Sequence, residues 1–295
     1  MDSSDERTAL AAFITMSVLA GGNAVAIRFS NRELDPLWGA GLRFLLAAFL
    51  LTAVMVVLRL PLPTGRAMTG ALVYGALTIA AAFALAYYGL VRLHAGLGQT
   101  LLALVPLATL LLAVLWRQER LRVDAIGGAL LAIAGIAVMS RAHVGALQFL
   151  SVLALIGSAF CFAQAAVLVR RFPPVHPVTM NAVGMAVGSA LLIIGAVLVG
   201  DSIAIPRRAE TWLAIGYLVP VGSVLVFVLY LVVLRYWAAS RAAYEFVLIP
   251  VVTIALSAWL DDESVGTGLL LGGLLVLTGV YIGALRPART VEPAS

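Results

Sequence analysis

Residues 101–135 read LLALVPLATLLLAVLWRQERLRVDAIGGALLAIAG, and residues 245–279 read EFVLIPVVTIALSAWLDDESVGTGLLLGGLLVLTG. Laid over each other without a gap, the two stretches align Pro106 with Pro250, Glu119 with Glu263, Gly128 with Gly272 and Gly135 with Gly279, all 144 residues apart. The register extends outward. Arg28 pairs with Arg170 at 142 residues and Pro36 with Pro177 at 141, so loops absorbed only a few residues. One half of the chain copies the other.

Composition identifies the solvent of these helices. The chain is 63% hydrophobic and 11% charged, with a mean hydropathy of +1.08, whereas charge in soluble domains is nearer a quarter of residues. A membrane-spanning helix needs roughly 20 apolar residues. Ten stretches meet that need: 8–27, 38–58, 68–88, 95–115, 123–139, 149–169, 178–199, 212–234, 238–260 and 265–285. The expected fold is therefore an all-α integral membrane protein, with ten transmembrane helices arranged as two five-helix repeats. Residues 1–7 and 287–295 are tails, 8–141 the first repeat and 142–286 the second. An odd number of crossings per repeat forces the second copy to start from the opposite face, so the repeats are inverted, and substrate sites in such folds lie near the midplane where repeats meet.

The chain has no Lys. With the N-terminus inside, twelve Arg fall on cytoplasmic segments and six on the other side, which places both termini in the cytoplasm. The formal charge of +5 thus follows membrane topology and gives no reason to expect nucleic-acid binding. The first apolar stretch is too long for a signal-peptide core and reads as a retained helix. Cys161 is the single cysteine, so no internal disulfide forms.

The order of several elements resembles the drug/metabolite transporter superfamily in its ten-helix, EamA-type exporter form. These are Gly22–Asn23 in helix 1, Pro36 followed by Arg43 in helix 2, and the unit Pro106, Glu119, Gly127, Gly128, Gly135 repeated as Pro250, Glu263, Gly272, Gly273, Gly279. Within it, the chain looks most like bacterial inner-membrane exporters of amino acids, including aromatic ones. The resemblance implies a basket whose central cavity is lined mainly by helices 1, 3, 4, 6, 8 and 9, with helices 5 and 10 outside it.

The residues carry their own reading. Small residues on helices 5 and 10 let backbones approach closely in lipid. Pro106 and Pro250 remove a backbone donor mid-helix, so a kink is expected at each, read either as a gating hinge or as a static bend. Arg43, Arg241 and Glu245 are the charges at membrane depth. Arg43 is near enough to the interface to snorkel there, or else it serves substrate. Arg241 and Glu245 share a helix face, either as a structural pair or with Glu245 holding a substrate ammonium or a proton. Candidate substrate contacts are Asn23, His94, Gln99, Thr100, Gln164, Tyr244 and Glu245, with Phe83, Tyr87, Phe227 and Tyr230 as aromatic walls. A zwitterion needs donors, acceptors and an apolar wall, and these side chains supply all three. Interhelical hydrogen bonding and core packing are the alternatives for each.

An enzyme is excluded on chemistry. His94, His143 and His176 lie far apart, no phosphate-binding glycine motif occurs, and Asp261, Asp262 and Glu263 read as a solvated turn. No cofactor or metal is expected. The expected function is secondary export of amino acids or related small metabolites by alternating access in the bacterial inner membrane. The alternatives are a carrier of the same fold for drugs, nucleotide sugars or other metabolites, and a non-transporting receptor or interaction subunit. The expected partners are a small-molecule substrate and the lipid bilayer, and a monomer suffices because the cavity forms within one chain.

Overall fold

The computed structural model describes residues 3–117, 123–141, 146–236 and 245–285. Among them every regular element is helical. Seven helices are long and apolar enough to cross a membrane, and three shorter apolar helices, Ile126–Met139, Leu248–Leu260 and Thr267–Gly283, complete the set. We number the helices α1 (Ser3–Asn31), α2 (Pro36–Val57), α3 (Gly65–Leu90), α4 (Ala95–Leu115), α5 (Val123–Arg141), α6 (Ala146–Val169), α7 (Pro177–Val199), α8 (Ala209–Tyr236), α9 (Glu245–Leu260) and α10 (Thr267–Leu285). The membrane face carrying the α1–α2 connection is called distal, and the face where α1 begins proximal. The sequence-predicted ninth helix begins at 238, and residues 237–244 lie outside the described residues.

The helices start where their sequences dictate. α2 and α7 each open on a proline, whose missing N–H is no loss in a first turn. The other free N–H groups of α2 need acceptors, and the Asp201 carboxylate accepts from the N–H of Leu37 at 3.1 Å and of Trp38 at 3.2 Å. In return Asp35 accepts from the N–H of Ser202 at 2.7 Å. The α1–α2 and α7–α8 connections therefore cap each other across the repeats. α7 stops at Gly200, which takes φ +82°, a left-handed conformation that glycine adopts without strain.

Inverted symmetry is visible in the packing. α2 packs along α7, α5 along α10 and α4 against α9, each pair joining repeat equivalents. At α5–α10, a Cβ on Gly128 would lie 2.4 Å from the Gly279 carbonyl, and one on Gly135 2.6 Å from that of Gly272. Exchanging each residue for its equivalent 144 positions away turns one contact into the other. The repeated glycines are thus where two backbones touch across the pseudo-twofold axis, as lipid-embedded packing requires. Leu130, Ile133, Leu270 and Leu274 on the same helices face outward and exposed, an apolar surface suited to acyl chains.

Candidate substrate cavity

Local irregularities in the helices build the central site. α3 carries a π segment at Gly75–Ala81 and α8 one at Pro220–Leu225, so the irregular turns begin 145 residues apart at equivalent places. A π segment widens the hydrogen-bond ladder and is common at functional sites. In α8 it presents the Gly222 carbonyl, which accepts from Asn23 Nδ2 and from Arg43 Nη2, both at 3.4 Å. In α3 Gly75 lets the backbone meet α7, since a Cβ there would lie 2.6 Å from the Gly184 carbonyl.

Two adjoining chambers, about 330 and 510 Å³, lie between the repeats and share Tyr74, Thr78, Phe83, Phe162, Tyr230 and Glu245. The smaller also meets Arg43, Phe44, Asn181, Ser223 and Phe227. The larger runs from Ile27 and Leu90 at its distal end, past Asn23 and Gln99, to Val169 at the proximal end of α6. α1, α3, α4, α6, α8 and α9 supply the walls, and among the described residues none of α5 or α10 lines them. The smaller chamber adds α2 and α7, beyond the helices expected.

Of the expected contacts, Asn23, Gln99, Phe83, Phe227, Tyr230 and Glu245 line the chambers. Phe83 stacks edge-on to Phe44 and Phe162, with centroids 4.6 and 5.4 Å apart. Tyr87 is fully buried in the core beside the cavity. Thr100 spends its hydroxyl on the Gly96 carbonyl at 2.8 Å. Gln164 accepts from Trp116 Nε1 at 3.4 Å, and His94 stands at the distal surface. Tyr244 and Arg241 lie outside the described residues, as do Glu119 and His143. Sequence reasoning passed over Tyr74 and Asn181, whose side chains join α3 to α7 through a 3.0 Å hydrogen bond from Tyr74 Oη to Asn181 Oδ1. An asparagine inside the mostly apolar α7 was the available signal.

The Arg43 guanidinium turns inward instead of snorkelling. The residue is 2% exposed, its Nε donates to Ser223 Oγ at 3.1 Å, and the Phe44 and Phe83 rings flank it at 4.8 and 5.2 Å. A charge at this depth costs about 2.5 to 3.5 kcal/mol on insertion scales. The two prolines behave differently. α4 breaks into Ala95–Leu102 and Val105–Leu115 ahead of Pro106, whereas α9 runs unbroken through Pro250.

At the distal face the acidic turn is solvated only at Asp262, because side chains from α1 cover the Asp261 and Glu263 carboxylates. The Asp261 and Glu263 side chains are 2% and 5% exposed, and Arg28 Nε lies 3.0 Å from one and 2.9 Å from the other. Arg32 also pairs with Asp261. Glu263 accepts from the N–H of Ala95, the first residue of α4, at 2.9 and 3.1 Å, and lies 3.7 Å from His94. Arg28 follows Ile27 of the larger chamber directly, so this clasp sits next to the distal end of the cavity.

Known proteins place this architecture. A protein of Escherichia coli (strain K12) named "Probable amino-acid metabolite efflux pump" is 29% identical over 94% of this chain and 96% of its own length. The "Uncharacterized inner membrane transporter YedA" of the same strain is 25% identical over 96% of each. A crystal structure of a protein 20% identical to this one superposes with a TM-score of 0.66, covering 95% of this chain and 97% of that one. That likeness shows the fold. The EamA-like transporter family matches at residues 7–141 and 149–284, one match to each repeat. The chain belongs to the EamA-like transporter family, and it is a membrane transporter, not an enzyme.

Proposed function

We propose that the protein is a secondary carrier that exports amino acids or related small metabolites across the bacterial inner membrane, acting as a monomer with both termini in the cytoplasm. The two repeats, 8–141 and 142–286, alternate access to the cavity between them. The observation that carries this reading is a cavity at the repeat interface, where mostly apolar walls hold a few converging polar groups, Asn23, Gln99, Tyr74, Arg43 and Glu245. A zwitterion with an apolar side chain matches such a lining. Glu245, on both chambers, is placed to receive an ammonium or to carry a proton. The efflux-pump name of the Escherichia coli relative points the same way. The apolar share of the larger chamber favours, as second reading, a carrier of hydrophobic drugs or metabolites.

Reconstitution in liposomes tests this. Saturable uptake of a labelled amino-acid panel, reduced in Gln99→Ala and Glu245→Gln, is the expected result. A requirement for a pH gradient that Glu245→Gln abolishes would assign coupling to that carboxylate. Absence of flux for every amino acid, in folded and inserted protein, rejects the amino-acid reading in favour of the second.

A further inference from the structure

Among the largest fully buried side chains of the protein is a cation, Arg43. Neutral groups hold it: Ser223 Oγ accepts from Nε at 3.1 Å and the Gly222 carbonyl from Nη2 at 3.4 Å. Its other terminal nitrogen, Nη1, is buried without a well-formed hydrogen bond, and the neutral Tyr87 hydroxyl, itself buried and unsatisfied, is a further neighbour of the guanidinium. Packing orients the guanidinium, yet no carboxylate of the described residues pairs with it, and it lines a chamber of about 330 Å³. A buried charge of this kind is costly unless something of opposite charge joins it. Glu245 lines the same chamber, which therefore carries one cationic and one acidic group.

Repeat symmetry separates this residue from the scaffold. The 141-residue offset that relates Pro36 to Pro177 maps Arg43 onto Gly184, whose place is filled by the ring of Tyr74, 2.6 Å from where a Cβ would stand. Glycines and prolines that hold the helices recur in both halves, and Arg43 does not. A guanidinium presents a planar fork of donors that fits a carboxylate in two-point contact.

We propose that Arg43 is the carboxylate-recognising residue of the transport site, with Ser223 and the Gly222 carbonyl fixing its guanidinium at the chamber wall. This rests on the carrier reading of the same cavity and names the chemical group the cargo must present.

Matched probes test it: L-phenylalanine, 2-phenylethylamine, which lacks the carboxylate, and 3-phenylpropanoate, which lacks the ammonium. In wild-type liposomes the amine competes with labelled phenylalanine about 10- to 100-fold more weakly than phenylalanine itself, the factor expected for losing a hydrogen bond to a charged partner. In Arg43→Gln the two compete within about twofold, KM rising more than kcat falls. Retained discrimination in folded Arg43→Gln overturns the proposal. If Arg43→Gln fails to insert, Ser223→Ala takes its place: weakened discrimination supports the proposal and wild-type discrimination overturns it. If no amino acid is carried at all, the export reading fails separately, and thermal stabilisation still reads Arg43. Stabilisation of wild type by 3-phenylpropanoate and not by 2-phenylethylamine, lost in Arg43→Gln, supports carboxylate recognition, and its absence rejects it.

Discussion

Removing the Arg28 guanidinium opens the distal face. In Arg28→Ala, Asp261 keeps Arg32, but Glu263 loses the partner 2.9 Å away and retains only the Ala95 N–H and a half-exposed His94 at 3.7 Å. Leaving a buried carboxylate short of a charged partner costs about 1.5 to 3 kcal/mol. The penalty applies only to the packing in which Glu263 is buried, so it shifts the equilibrium towards the distal-open packing by about 10- to 150-fold. The readout is a cysteine at Ile27, buried at the distal end of the larger chamber, in a Cys161→Ser background. Labelling by a membrane-impermeant maleimide from the distal side quickens in Arg28→Ala and not in Arg92→Ala, whose side chain lies over Tyr88 outside the clasp. Equal labelling rates in Arg28→Ala and its parent would refute the clasp as a closure.

Three further outcomes follow from the geometry. Gly222→Ala places a Cβ 2.1 Å from Asn23 Oδ1, so it displaces Asn23 and the α8 carbonyl, and transport falls about tenfold or more; Gly216→Ala on the same helix meets nothing within 4 Å and leaves flux unchanged. Gly128→Ala drives a Cβ to 2.4 Å from the Gly279 carbonyl while Gly127→Ala enters open space; melting in detergent drops by several degrees in the first and not in the second, matching an overpacking cost of about 1 to 3 kcal/mol. Pro106→Ala lets α4 close its break at Ala103–Leu104 and slows flux several-fold, measured in liposomes, whereas Pro250→Ala, in an already continuous α9, changes flux less.

The scaffold was legible because it repeats and because lipid demands it. Hydropathy gives the spans, and glycines recurring at 144 residues give the pairs whose backbones touch. The two prolines show the limit. Identical in register, they yield a broken α4 and an intact α9, and α9 alone has its threonine, Thr253, donating to the Gly21 carbonyl of α1 at 2.8 Å, a contact that spacing cannot reveal. The turn at Asp261 reads as solvated because local sequence shows acidic residues and no cations. Its cations come from α1, 233 residues earlier. Arg43 likewise reads as an interfacial anchor until Ser223, 180 residues on, is brought beside it. Tyr87 and Thr100 have cavity chemistry on the right helices, but their side chains leave on the faces that pack.

Symmetry and its breaking divide the labour of the molecule. A carrier needs two packings whose free energies differ by a few kcal/mol, since a bias of about 5.5 kcal/mol already moves a 1:99 balance to 99:1. Structurally equivalent repeats suit this, because the same glycine contacts and π segments recur in both halves. Cargo recognition has no such need. Asn23, Arg43 and Glu245 map onto Ala165, Gly184 and Leu101 in the other repeat, so these polar groups occur once, as the single site proposed between the repeats requires. On the proposed alternating-access reading the clasp is bounded by the same arithmetic: Arg28, Asp261 and Glu263 would hold the distal face shut by less than cargo binding returns. A clasp stronger than that would lock the carrier closed, and the half-exposed His94 and Arg32 at its edge leave water a route to loosen it.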